Sequence, residues 1–173
     1  ELLKVAASAE SGSEHPLGES IVQHARKKGV EWSDSSDFES VTGKGVKAKL
    51  DGTFILVGSK KLMIQEGALV NSEAEDELQK LEEQAKTAML VAKDYKVVGI
   101  IAVADQIKED SKQAIAELKK FGLNPIMLTG DNERTAKAIA NEVGIDEVIA
   151  GVMPDQKSDK IKVLTVSKLF AQA

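Results

Sequence analysis

At 173 residues and 42% hydrophobic side chains, the chain can bury a core in one ordinary domain or two small ones, and with only 3% aromatics that core must be aliphatic. Its 23 Lys and Arg stand against 28 Asp and Glu, and the resulting net charge of −5 argues against a nucleic-acid or anionic-membrane partner. The absence of cysteine fits a reducing compartment and removes disulfides and thiolate ligands, and two histidines alone do not make a tetrahedral zinc site.

Glu1 to Glu10 carries Leu2, Leu3, Val5, Ala6 and Ala9 at helical spacing. This charged, helix-like opening does not read as a signal peptide. Ser11-Gly12-Ser13 breaks the pattern, and Pro16 suits the first turn of a second helix that stops at Gly29. Its apolar face is Leu17, Ile21, Val22 and Ala25. Phe38 to Val41 reads as a short strand, and Val46, Ala48 and Leu50 alternate with lysines at strand period. Asp51-Gly52 marks a hairpin turn and Thr53 to Val57 returns. Gly58-Ser59 opens a short helix to Glu66, and Asn71 or Ser72 caps an acidic, solvated helix to Lys86. Met89 to Ala92 and Val97 to Val103 form a second hairpin. The longest apolar run, Val97 to Ala104, falls far short of the roughly 18 residues of a membrane span and reads as a buried strand.

From here the pattern changes. A helix (109–121), a strand (125–128), a helix (133–143), a strand (147–150) and a helix (155–164) alternate, which predicts a parallel sheet with crossovers. The expected fold class is therefore α/β (α+β): an antiparallel sheet flanked by helices, then an incomplete parallel Rossmann-like domain. The expected domains are 1–101 and 102–164, with the boundary near residues 101–105 and an unassigned tail at 165–173.

Several constellations carry chemistry. His15 lies just before Pro16 at a helix entry; it either caps that helix or packs against a purine whose exocyclic amine donates to Glu10. Glu10 is otherwise a solvated carboxylate. Gly43 and Gly45, with Lys44 between them, make either a tight turn between strands or a bare stretch of main chain for a ligand to lie on, with Lys44 available for phosphate charge. They are not a dinucleotide fingerprint, because a strand follows and the third glycine is missing. Gly58-Ser59 is a plain helix entry or a second such patch. Thr129-Gly130-Asp131-Asn132 follows a buried-looking strand and precedes a helix, where open α/β sheets place ligands and where a helix N-terminus favours phosphate. The same residues also suit a simple turn with Asp131 or Asn132 as cap. Lys157 near the start of the last helix is a solvated charge or a phosphate clamp. No metal cluster is visible, and His24 reads as a surface residue.

Glu10, Ser13-Glu14-His15-Pro16-Leu17, Thr42-Gly43-Lys44-Gly45, Val57-Gly58-Ser59, Asp105-Gln106-Ile107-Lys108, Thr129-Gly130-Asp131-Asn132 and Met153-Pro154-Asp155-Gln156-Lys157 occur in one order. That order resembles the cytosolic ATP-binding and phosphorylation region of heavy-metal-transporting P-type ATPases, the copper pumps above all, over residues 1–164. The resemblance implies a haloacid-dehalogenase-type second domain. It implies that Glu10 and His15 bind adenine, that Gly43, Gly45, Gly58 and Ser59 line the nucleotide, and that Thr129, Asp131 and Lys157 handle phosphate. Ser59 departs from the family's usual asparagine, and Asp105 begins the hinge signature. The resemblance further implies ATP or ADP as ligand, Mg2+ in the parent protein, and ATP hydrolysis driving cation transport through an aspartyl phosphate. The partners would be the parent's transmembrane and actuator domains, at the cytoplasmic face of a membrane, with no membrane insertion by this part.

The family's Asp-Lys-Thr-Gly-Thr stretch and its Gly-Asp-Gly-x-Asn-Asp stretch do not occur in these 173 residues. The expectation is an excised fragment that binds nucleotide without turnover. A soluble haloacid-dehalogenase-type phosphatase and a non-catalytic nucleotide-binding module are the alternative readings.

Overall fold

The computed structural model describes residues 1–104 and 107–162. The chain divides into two compact units, Glu1–Asp105 and Gln106–Ala173. The expected hinge residue Asp105, the end of the last helix at 163–164 and the tail 165–173 lie outside the described residues.

The first unit is a five-stranded antiparallel meander in the order β1-β2-β3-β4-β5, with β1 Ser36–Val41, β2 Gly45–Leu50, β3 Thr53–Gly58, β4 Lys86–Lys93 and β5 Lys96–Ala104. Side chains alternate across the sheet with period two. Val46, Ala48, Ile55, Val57, Met89 and Val91 face α1 (Leu2–Glu10) and α2 (Pro16–Lys27), which add Val5, Ala6, Ala9, Ile21 and Ala25 to that core. Leu56, Ala88, Leu90 and Ala92 face α3 (Lys60–Gln65) and α4 (Ser72–Glu83), with Met63 and Leu78. The central strands are thus covered on both faces. The Asp51-Gly52 turn has φ of 50° and 81°, the paired positive values of a type I′ hairpin.

Two expectations need correction here. The acidic helix ends at Glu83 rather than Lys86, because Ala85 adopts φ 59° and Lys86 already belongs to β4. The apolar run Val97–Ala104 is not a buried strand. It is β5, an edge strand with one sheet neighbour, and its residues are half-buried or exposed, none fully buried. The register shift against Val91/Ala92 leaves Val98 as the extra residue of a bulge, 49% exposed.

In the second unit β6 (Ile126–Leu128) pairs in parallel with β7 (Glu147–Ile149), in the register Ile126↔Glu147 to Leu128↔Ile149. Helix α5 spans Glu109–Lys120 and α6 spans Glu133–Val143, burying Thr135, Ala136, Ala140 and Val143. Gly144 at φ 82° ends α6 in the left-handed turn that only glycine adopts freely. β6, expected to be buried, is half-buried, because its described sheet has only two strands. The last helix opens as a 3-10 turn, Pro154–Gln156, and helical backbone continues to residue 162.

Candidate functional site

Helix α1 crosses one face of the sheet from β5, where Leu2 packs on Gly99, toward β1, where Gly12 lies against the Phe38 ring. Its last residue, Glu10, is 4% exposed. Burial pushes the Glu10 carboxyl above the ordinary glutamate value, and a hydrogen bond from Ser13 partly offsets that rise. The chain turns sharply after it, with the Ser13 N–H donating to the Glu10 backbone carbonyl at 2.9 Å. Ser13 Oγ in turn accepts from the His15 N–H at 3.3 Å. Glu10 and His15 are therefore joined through one hydroxyl.

His15 is the cap of α2. Its Nδ1 accepts from the Leu17 N–H at 3.2 Å, so the proton of the neutral ring is carried on Nε2. His15 is exposed, so the capping role does not bury it. Pro16 at the first helical position needs no N–H partner there. Gly18, two residues on, is buried against Glu10: a side chain there would overlap the Glu10 Oε2 and lie 2.8 Å from Ser13 Oγ.

Gly43 has φ 68° and is exposed in the turn joining β1 to β2. Gly45 and Gly58 are partners in the β2–β3 ladder. The Ser59 N–H donates to the Lys44 carbonyl at 2.7 Å, and Ser59 Oγ caps α3 by accepting from the Leu62 N–H at 3.4 Å. The four residues expected to line a nucleotide thus form one cluster. Lys44, offered above as a phosphate charge, donates its Nζ to Gln65 Oε1. Gly12, within the Glu10–His15 turn, lies against Phe38 of β1, and the Gly43–Gly45 turn joins β1 to β2. Two hollows of about 340 and 210 Å³ lie elsewhere, one between α2 and β5 and one beside the β2–β3 hairpin. Neither is lined by Glu10, His15, Gly43 or Gly45.

In the second unit Thr129 follows β6 directly, and its N–H still donates to the Ile149 carbonyl at 3.0 Å. Its hydroxyl donates to Asp131 Oδ2 at 2.7 Å and accepts from the Asp131 N–H at 3.2 Å. Asn132 caps α6, its Oδ1 accepting from the Arg134 and Thr135 N–H groups. Thr129 and Asp131 are thus brought together at the carboxyl end of a parallel strand. Lys157 is exposed at the end of the 3-10 turn, and the described contacts include no bond from it to either of them. His24 is exposed, and no group of three metal-ligating side chains occurs among the described residues.

Two positions were not singled out in the sequence. Ser13 was visible only as part of a pentad, and Gly18 only as a glycine inside a helix, which signals close approach of another group.

Residues 1–169 match a family model described as haloacid dehalogenase-like hydrolase. The copper-exporting P-type ATPase of Staphylococcus saprophyticus is 46% identical over 95% of the chain, and the probable copper-exporting P-type ATPase of Archaeoglobus fulgidus is 48% identical over 99%. The chain spans about a fifth of the length of these curated relatives, 20% and 21%. Among solved structures, a zinc-transporting PIB-type ATPase in the E2.Pi state superposes with a TM-score of 0.63 and 33% identity, covering 100% of this chain and 27% of that one. The catalytic domain of the CPx-ATPase CopB-B, solved in work on conformational changes upon nucleotide binding, gives a TM-score of 0.64 and 26% identity, covering 96% of this chain and 57% of that one.

Proposed function

The chain belongs to the haloacid dehalogenase-like hydrolase family, and from that premise we propose that it is the nucleotide-binding and phosphate-handling part of a copper-translocating P-type ATPase. The observation that carries this reading is the Ser13-bridged pair of Glu10 and His15. The Glu10 carboxylate accepts hydrogen bonds, and the exocyclic amine of adenine donates them. The His15 ring packs against the purine face while its Nδ1 stays tied to the Leu17 N–H. Gly43 supplies the side-chain-free turn for the nucleotide to lie on. Gly45, Gly58 and Ser59 support that turn from beneath, through the Lys44 carbonyl and the close β2–β3 crossing.

Thr129 and Asp131 serve the phosphate end. The hydroxyl and the α6 N-terminus favour an anion, and Lys157 supplies a cation for it. Phosphoryl transfer depends on positioning and charge neutralisation around an in-line attack. The 173 residues contain no Asp-Lys-Thr-Gly-Thr stretch, so in this reading the 173-residue polypeptide forms no phosphoenzyme although it binds ATP or ADP. The parent activity is ATP-driven metal export through an aspartyl phosphate, with the metal as cargo. Its partners are the parent's membrane and actuator domains, and its place is the cytoplasmic face of a membrane. Mg2+ asks for about six oxygen ligands; the Thr129 loop offers the Asp131 carboxylate, so the residues described here do not by themselves make that site.

Titration with ATP followed by NMR tests the reading. We expect His15→Gln and Glu10→Ala each to weaken binding by about tenfold or more while the spectrum stays that of a folded chain. Unchanged affinity in both variants overturns the adenine assignment. Acid-stable phosphate incorporation from labelled ATP overturns the second half.

A further inference from the structure

We propose that Ser13 and Gly18 are positioning residues that set the adenine preference of this site, an inference that rests on the function proposed above. Ser13 Oγ is shared: it donates to the Glu10 carboxylate and accepts from the His15 N–H at 3.3 Å. One hydroxyl thereby fixes the side chain of one purine contact and the backbone of the other. Gly18 leaves the space beside the carboxylate and Ser13 that a side chain would fill. A Cβ at 18 would overlap Glu10 Oε2 and stand 2.8 Å from Ser13 Oγ and 2.9 Å from Ser13 Cβ.

Glycine is unfavourable within a helix, since it carries extra backbone entropy into the unfolded state. Gly18 stands in the first turn of α2 and is buried, so its lack of a side chain serves a neighbour rather than the helix. The neighbour is a carboxylate that is 4% exposed. An ionised carboxylate has about four acceptor positions. The Ser13 hydroxyl takes one and leaves others for an amine. A residue-18 methyl would displace the flexible Glu10 carboxylate and also press on the Ser13 hydroxyl and Cβ, so Gly18→Ala disturbs both partners of the bridge.

The experiment uses the 173-residue chain with ATP and inosine triphosphate as probes. Inosine presents a carbonyl where adenine presents the amine, so a correctly held Glu10 favours ATP. The wild type is expected to prefer ATP by about tenfold. Ser13→Ala and Gly18→Ala are each expected to reduce that preference to about twofold or less, in chains whose NMR spectrum stays that of a folded protein. Ser13→Thr, which keeps the hydroxyl, is expected to retain it. Glu10→Ala separates the two levels of the argument. If Glu10→Ala leaves the preference intact, the adenine reading fails and this inference fails with it. If Glu10→Ala abolishes the preference while Ser13→Ala and Gly18→Ala keep it, the positioning role alone is overturned. Should Gly18→Ala not fold, the Ser13→Ala and Ser13→Thr pair decides: equal preference in both overturns the proposal.

Discussion

Gly45 and Gly58 face each other across β2 and β3 with no room for a side chain on either. A Cβ on Gly45 would lie 2.5 Å from the Gly58 Cα and overlap the Val57 carbonyl oxygen; one on Gly58 would lie 2.8 Å from the Gly45 Cα and overlap the Lys44 carbonyl oxygen. Backbone, unlike a flexible side chain, cannot step aside at small cost. Gly45→Ala and Gly58→Ala are therefore expected to destabilise the first unit by roughly 2–4 kcal/mol each. Gly43→Ala, at φ 68°, is expected to cost about 1 kcal/mol. Urea midpoints of the three variants check the ranking, and a Gly45→Ala midpoint equal to that of the wild type refutes the steric account.

Ser8 is fully buried in α1, and its Oγ has no hydrogen-bond partner among the described residues. A buried, unpaired hydroxyl costs about 1–3 kcal/mol on mutational scales. Alanine removes it, leaves the Cβ in place and has the higher helix propensity. Ser8→Ala is expected to stabilise the chain by about 1 kcal/mol, read as a raised urea midpoint with unchanged slope. A loss of stability would mean that the hydroxyl is satisfied in solution, by a water or by the helix itself.

These residues also show where the sequence was legible. Strong local signals survived intact: Pro16 at a helix start, Gly29 at its end and Asp51-Gly52 in a hairpin, while of the two possible caps before α6 the structure uses Asn132. What failed was non-local. Nothing in the segment 83–86 announces the end of α4, because the left-handed residue is Ala85 and not a glycine. The apolar run in β5 looks like a buried strand because periodicity reports how apolar a segment is, while burial depends on how many neighbours the topology gives it. Gly45 and Gly58 could be picked out as bare, but whether the bareness accommodates a ligand or another strand depends on a pairing 13 residues away. The Ser13 bridge was hidden because it needs the turn after α1 to be closed before the three groups meet.

The Asn132 cap supports the Thr129 loop. Its Oδ1 receives the Arg134 and Thr135 N–H groups at 3.0 and 3.1 Å, two of the donors a helix start leaves unpaired. Asn132→Ala is expected to cost about 1 kcal/mol. The loss should be confined to the second unit, so hydrogen exchange should quicken over residues 126–152 and stay unchanged in β2–β4. Equal quickening across both units would show that they unfold as one body.

Glu10 sets two opposite pH trends. Its folded-state carboxyl titrates above the ordinary value because burial disfavours the charge, with the Ser13 bond only partly compensating. Between the unfolded and the folded midpoints the native chain holds a proton that the unfolded chain has released. Stability therefore falls as pH rises through that window and is level above it. The neighbouring titratable groups Glu14, His15 and Glu19 are exposed, so subtracting the profile of Glu10→Gln isolates the slope due to Glu10. ATP binding should run the other way. The ionised carboxylate is the better acceptor for an amine, so affinity should rise with pH through the same window in the wild type and lose that rise in Glu10→Ala. Urea titrations and calorimetry from pH 4 to 8 check both trends. If stability and affinity rise together, the buried carboxylate is not the group that the nucleotide meets.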